Sequence, residues 1–339
     1  MKALSVIRYP LSAVQDSRSG SGCASDHANT WQPTASQKNL QSRAELYKKI
    51  RAFFAEKNIL EVETPLLCQH TVTDPHIESF IVPSNHKKYY LQTSPEYAMK
   101  RLLAAGSGAI YQITKSFRVG EVGHQHNPEF TMLEWYRPEF NHHDLMNEID
   151  LFLQFTIETQ PAEKISYRNL FLQYLNIDPL QVNLEGLKKL ISEKNIQVDA
   201  KNFDHDTCLQ ILLSHLIEPE MGIKKPLFLY DFPKTQAALA KINGEVAERF
   251  ELYINGSEIA NGFHELTDAI EQQKRFEKNQ GDRKNNQQTI PEIDHYFIDA
   301  LKLGLPNCAG VAIGVDRLLM YYAKINNIQD VISFSFDRA

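Results

Sequence analysis

Asn255-Gly256 is the strongest local constraint on how this 339-residue chain folds. A two-residue hairpin turn needs φ > 0 at both central positions, and Asn-Gly meets that need at little cost. Centring a turn there pairs Ile254 with Ser257, Tyr253 with Glu258 and Glu251 with Ala260. Side chains alternate along a strand, so Glu251, Tyr253, Glu258 and Ala260 are expected on one face. The two carboxylates are then diagonal neighbours, roughly 7–8 Å apart at Cα. Two anions so placed repel unless a cation lies between them. Mg²⁺ carried on a nucleotide phosphate fits, because that ion takes one or two carboxylates plus phosphate oxygens.

The rest of the composition is compatible with such a site. Hydrophobic residues make up 42% and charged residues 23% of the chain, which suits a globular protein with one large core or a domain with an insertion. No apolar run approaches the ~18–20 residues of a membrane span. A net charge of −6 and a pI near 6.1 disfavour a broad nucleic-acid surface. Cys23, Cys68, Cys208 and Cys308 are scattered without a CxxC pair, and no HExxH occurs. A reducing, cytoplasmic location is the simplest expectation. Residues 1–30 are rich in Ser, Gly, Asp and Asn, lack periodicity and read as a disordered tail. Arg8 and Pro10 interrupt any signal-peptide core.

Further along, the pattern predicts a helix over 39–58 and a short strand ending at Thr64-Pro65. Ser94-Pro95 opens a second helix over 97–105, ended by Gly106 and Gly108. Residues 109–118 and 129–137 read as the strands of a long antiparallel hairpin. A mostly helical stretch of about 142–226 carries no recognised motif. The chain closes with a strand over 310–314 and a helix over 316–323.

On the second strand of the long hairpin, Phe130, Met132, Glu134 and Tyr136 share one face. A carboxylate among aromatics is costly to bury without a cation. Glu96, Glu134, Glu251, Glu258 and Glu265 all read as strand or turn residues. Such a set suits a ligand carrying ammonium groups as well as a metal. Asn261 joins it only if the strand bends near Gly262. Arg118 and Arg317 are candidate phosphate clamps, since guanidinium matches phosphate oxygens in a fork. Gly310 and Gly314 would let a ligand approach the backbone.

Arg118 with HNPEFTMLEWY (126–136), FELYINGSEIANGFHELTDA (250–269) and GVAIGVDRL (310–318) resembles motif 2, the strands before motif 3, and motif 3 of class II lysyl-tRNA synthetases. Thr64-Pro65 resembles the end of motif 1. The likeness spans about 30–339. TSPEYAMKRLL, ISFSFDRA and Ala312 are closer to the stand-alone paralogue family that attaches lysine to elongation factor P. Only about 38 residues precede the first helix, too few for the anticodon-binding barrel of the tRNA enzymes. The resemblance implies an α+β catalytic domain over 31–339, with an antiparallel sheet flanked by helices and a helical insertion of about 142–226. It also implies a homodimer, use of ATP and Mg²⁺, activation of (R)-β-lysine or lysine, and elongation factor P rather than tRNA as acceptor.

The resemblance also assigns roles. Arg118 would hold the α-phosphate and Arg317 the γ-phosphate. Gly120, Glu121, His126, Asn127, Leu252 and Gly314 would surround the nucleotide, with Phe130 stacked on adenine. Glu251 and Glu258 would hold Mg²⁺. Ser94 and Glu96 would meet the amino group near the substrate carboxylate; Glu134, Tyr136, Asn261 and Glu265 would hold the distal ammonium. Glu258 and Ala312 would also border the substrate. One position departs: the family reads Arg-x-Glu where this chain has Arg118-Val119-Gly120, so an adenine contact depends on Glu121. Two rival readings are a lysyl-tRNA synthetase-like enzyme and a catalytically impaired regulatory subunit.

Overall fold

The computed structural model describes residues 31–84 and 87–339. The expected disordered tail lies outside the described residues. In chain order the main elements are α1 (Gln37–Glu56), β1 (Leu60–Glu61), β2 (Leu67–Cys68), β3 (Ile81–Ser84), β4 (Lys87–Leu91), α2 (Glu96–Ala104), β5 (Ile110–Phe117), β6 (Glu129–Pro138) and α3 (His142–Ile157). They continue with β7 (Glu163–Ser166), α4 (Tyr167–Leu175), α5 (Leu184–Glu193), α6 (His205–Leu212), β8 (Leu227–Pro233), β9 (Ile242–Asn243), β10 (Val246–Ile254) and β11 (Ser257–His264). Last come α7 (Ala269–Asn285), α8 (His295–Gly304), β12 (Cys308–Gly314) and α9 (Val315–Ala323).

Local chemistry accounts for the boundaries. The Ser36 hydroxyl accepts from Asn39 N and starts α1. Asn141 and Asp144 form a reciprocal capping box at α3. Gly106 and Gly108 follow α2 with φ of +88° and +73°, a conformation that stops a helix without steric cost. The expected strand before Pro65 shrinks to Leu60–Glu61.

The main sheet runs β1-β5-β6-β12-β11-β10-β8-β7, with β9 on β10. Its interior is antiparallel; only the end pairs β1–β5 and β7–β8 are parallel. This is the α+β arrangement expected, with parallel pairs added at both ends. The back face packs Leu133, Trp135, Phe250, Leu252, Val311 and Ile313 against α1, α3 and α9. At one end of the front face, Met99, Leu103, Phe297 and Leu301 from α2 and α8 cover Ile110, Tyr136 and Phe263. Residues of 167–221 form a cluster of their own that reaches Phe232 and Tyr253. A smaller sheet runs β2-β4-β3.

The hairpin register corrects the expected pairing. The turn holds, with Asn255 at φ +50° and Gly256 at +70°, and it pairs Ile254 with Ser257 and Tyr253 with Glu258. Then Leu252 pairs with Ala260 and Glu251 with Asn261, leaving Ile259 as an extra residue on β11. A bulge of one residue reverses which side chains face forward beyond it. Ala260 therefore enters the back core, and Asn261 joins Glu251 on the front. Asn261 thus reaches the front face through a bulge at Ile259 and not through the bend expected near Gly262, where the register is regular.

Candidate active site

The register lays a polar row across the front face: Gln112, Glu134, Ala312, Asn261 and Glu251. Beside it runs Tyr136, Gly310, Phe263 and Arg249. Helix α2 lies over one end and brings Glu96 and Lys100 down onto these rows. Glu96 opens that helix rather than lying in a turn, as expected from sequence. Lys100 Nζ lies 2.8 Å from Glu96 Oε1 and 2.5 Å from Glu265 Oε2. Glu134 Oε1 accepts from Tyr136 Oη at 2.6 Å. All of these side chains are buried, and Glu96 Oε2 and Glu134 Oε2 have no hydrogen-bond partner.

Burial and Glu96 push the Glu134 carboxyl well above the usual range. Burial likewise raises Glu265 to about 7, although Lys100 opposes that shift. Both groups then hold protons that an ammonium ligand would expel. Binding of a diamino acid is expected to release protons near pH 7 and to strengthen as pH rises through that region. Calorimetry in two buffers of different ionisation enthalpy measures this. A heat independent of buffer contradicts it.

A second acidic group lies along β10 and β11. Glu251 Oε1 accepts from Arg249 Nη2, and Glu251 Oε2 accepts from Tyr253 Oη at 2.6 Å. Glu258 lies across from Tyr253 with Oε1 buried and unpartnered. Burial, then Glu251, drive its carboxyl well upward. Glu218, from the segment before β8, reaches the same Tyr253 hydroxyl at 3.3 Å, and burial beside Glu251 raises it to about 7. A buried, orphaned carboxylate oxygen amid like charge fits a cation ligand.

The cationic groups converge beyond Gly314. Arg118 is buried, with Nη1 3.4 Å from Glu121 Oε1 and its guanidinium over the Phe130 ring. Arg317, in the first turn of α9, donates to Gln125 O, Glu258 O and His126 Nε2. Burial, Arg317 and Arg118 lower His126 to about 3, so its neutral ring accepts that bond. Glu121, His126, Asn127, Phe130, Gly314 and Arg317 line one cleft.

Most expected residues thus meet around one floor. Ser94 precedes α2 and makes no capping bond; Pro95 is the cap residue. Gly120 is not among the residues that line this cleft; it is exposed, at φ +79°, and a Cβ there would meet nothing within 4 Å. Glu121 is the residue that turns inward to Arg118. Leu252 is a correction, because its side chain packs in the back core and only its main chain lies near the site. Lys100, Arg249 and Glu218 were not anticipated. Lys100 is four residues past Glu96, the helical spacing that brings two side chains together. Arg249 is two before Glu251, the spacing of one strand face. Glu218 had no signal in its own segment.

Buried acids for ammonium groups, beside buried arginines for an anion on an antiparallel sheet, define an amino-acid-activating catalytic domain. The sequence profile of the tRNA synthetases class II (D, K and N) matches residues 25–338, and the chain belongs to that family. Within it, the chain is 52% identical to a Histophilus somni protein named elongation factor P–(R)-beta-lysine ligase over 320 residues, covering 91% of this chain and 98% of the relative. Proteins of the same name from Salmonella arizonae and Salmonella typhi are 50% identical over 322 residues, with the same coverage.

Proposed function

We propose that this chain activates (R)-β-lysine with ATP and transfers the β-lysyl group to a lysine side chain of elongation factor P. The buried set of Glu96, Glu134 and Glu265 around Lys100 carries this reading. When ionised, three carboxylates and one ammonium leave two negative charges, the complement of the two ammonium groups of a diamino acid. The names of the relatives supply the isomer and the acceptor.

In the first step a carboxylate oxygen of the substrate attacks the α-phosphorus, and pyrophosphate leaves. The carboxylate is already ionised, so no general base is needed. The chain has to offset repulsion between anions, a role we assign to Arg118 at the α-phosphate and to Arg317 at the terminal phosphate. Glu251 and Glu258 would hold Mg²⁺, which when bound neutralises triphosphate charge. The acidic pocket fixes the diamine end and so the angle of attack. In the second step a neutral lysine amine of the acceptor attacks the acyl carbon, and AMP leaves.

Pyrophosphate exchange with α- and β-lysine, together with the intact mass of elongation factor P after reaction, tests the proposal. Exchange with neither isomer, or no mass gain, counts against it. With a net charge of −6, the chain is expected not to charge transcribed lysine tRNA usefully. Efficient aminoacylation would favour the tRNA enzyme instead. Leu60, Leu67 and Ile81 are exposed apolar residues of β1, β2 and β3, close to the motif 1 resemblance. We assign them to a homodimer contact, and the free thiols of Cys68, Cys208 and Cys308 suit a reducing cytoplasm.

A further inference from the structure

Behind the catalytic rows, on the back of the same strands, four elements bring imidazole and carboxylate groups together. Glu248 on β10 and His264 on β11 are neighbours across the ladder. His142 is the first residue of α3, and Asp231 lies on β8. A bulge helps to aim them: Phe232 pairs with Ala247 and Tyr230 with Phe250, so Asp231, at φ +57°, stands alone against Glu248 and Arg249. One ligand atom each from His142, Glu248 and His264 lie within 4.8 Å of one another.

The hydrogen bonds show which nitrogens are committed. His142 Nε2 meets Asp231 Oδ1 at 3.1 Å, and His264 Nε2 meets Asn307 Oδ1 at 2.8 Å. Both acceptors are oxygens, so each ring donates outward from Nε2; this leaves the His142 Nδ1 lone pair open, whereas His264 Nδ1 shares a proton with Glu248. The Nδ1 of His264 faces Glu248 Oε2. The Nδ1 of His142 is buried and has no partner at all, although His142 is only 5% exposed. An orphaned nitrogen of this kind requires an explanation.

We infer that His142, His264 Nδ1 and a Glu248 oxygen form a binding site for a divalent transition metal, best matched by Zn²⁺, which on binding displaces to solvent the proton shared by His264 and Glu248. Two imidazoles and one carboxylate are borderline ligands that suit Zn²⁺ and not Mg²⁺. Asp231 and Asn307 act as the outer acceptors that fix each imidazole tautomer, the usual support for a metal-bound histidine. Glu248 is 13% exposed and Asp231 29% on their side chains, so an ion has a path from solvent. The bound ion pins the start of α3 to the hairpin that carries Arg249 and Glu251 on its other face. It is separate from the Glu251–Glu258 group.

The test titrates Zn²⁺ alone into chelator-treated full-length protein, by calorimetry and by thermal melting. Wild type is expected to bind one equivalent at this site and to melt a few degrees higher with the metal. His142→Gln and Glu248→Gln should each weaken that binding about 100-fold or more, since loss of even an outer partner costs ~10–100-fold. They should also abolish the rise in melting temperature. Pyrophosphate exchange without Zn²⁺ should be unchanged in both, because neither side chain faces the catalytic floor. Should His142→Gln fail to fold, Glu248→Gln reads the same site. No uptake by wild type, or unchanged uptake in the folded variants, overturns the assignment.

Discussion

Glu258→Gln is expected to lower pyrophosphate exchange by about 10²–10³-fold while leaving the fold intact. Glu258 Oε1 is buried without a partner, so this oxygen makes no hydrogen bond in the free protein. Glu251 is already held by Arg249 and Tyr253 and keeps its place when Glu258 changes. Arg317 donates to the main-chain oxygen of residue 258, which the substitution leaves in place. What is lost is one anion facing the triphosphate and its cation. Stability should move the other way. Burial and Glu251 drive the Glu258 carboxyl upward, which means that the ionised form opposes folding above its ordinary range. A neutral amide removes that penalty at pH 7, so the melting temperature should hold or rise. Exchange at the wild-type rate with saturating Mg²⁺ contradicts the assignment, and a fall in melting temperature contradicts the electrostatic account.

The contrast between Glu258 and its neighbours shows what was readable before folding. Asn255-Gly256 specifies a turn through local φ requirements alone, and the pair Tyr253–Glu258 follows at once. The long hairpin was readable for the same reason: alternation separated Phe130, Met132, Glu134 and Tyr136 from Leu133 and Trp135, and the core divides them in that way. The bulge at Ile259 was not readable, because no glycine or proline marks it. Packing selects it, by placing Ala260 in the back core. That single residue decides whether Asn261 faces the site. Lys100 was hidden for a different reason. Reading Glu96 as a turn residue removed the helical spacing that ties the two together. Glu218 depends on how the segment before β8 docks on Tyr253, a long-range contact with no local pattern. With glycine at position 120, the sequence makes the adenine contact depend on Glu121. In the folded chain the glycine serves a left-handed turn, and the next residue, Glu121, reaches Arg118.

Ala312→Gly is expected to raise activity with α-lysine by about 10–200-fold relative to β-lysine, the worth of one methyl in a fitted pocket. The strand β12 supplies a floor of changing height. At Gly310 an added Cβ would lie 2.2 Å from the Tyr136 ring and 2.6 Å from Glu265 Oε1, so no side chain fits at the acidic end. At Gly314 an added Cβ would meet nothing closer than 3.8 Å, beside Arg317. Ala312 lies between them, flanked by Glu134 and Asn261, and is partly exposed where both neighbours are buried. Its methyl therefore stands up from the floor between the ammonium pocket and the phosphate clamp, where the substrate carboxylate has to pass. In α-lysine an amino group branches from the carbon next to that carboxylate, and in β-lysine it branches one carbon further out. A methyl at the first branch point crowds the former and spares the latter. Removing it should open the α position while β-lysine loses little, because glycine in a strand costs mainly backbone freedom, about 0.5–1 kcal/mol. Exchange measured with both isomers in wild type and variant separates the two accounts. If both substrates fall together, or their ratio does not move, the methyl is ordinary strand packing and isomer choice lies with Glu96, Lys100 and their neighbours.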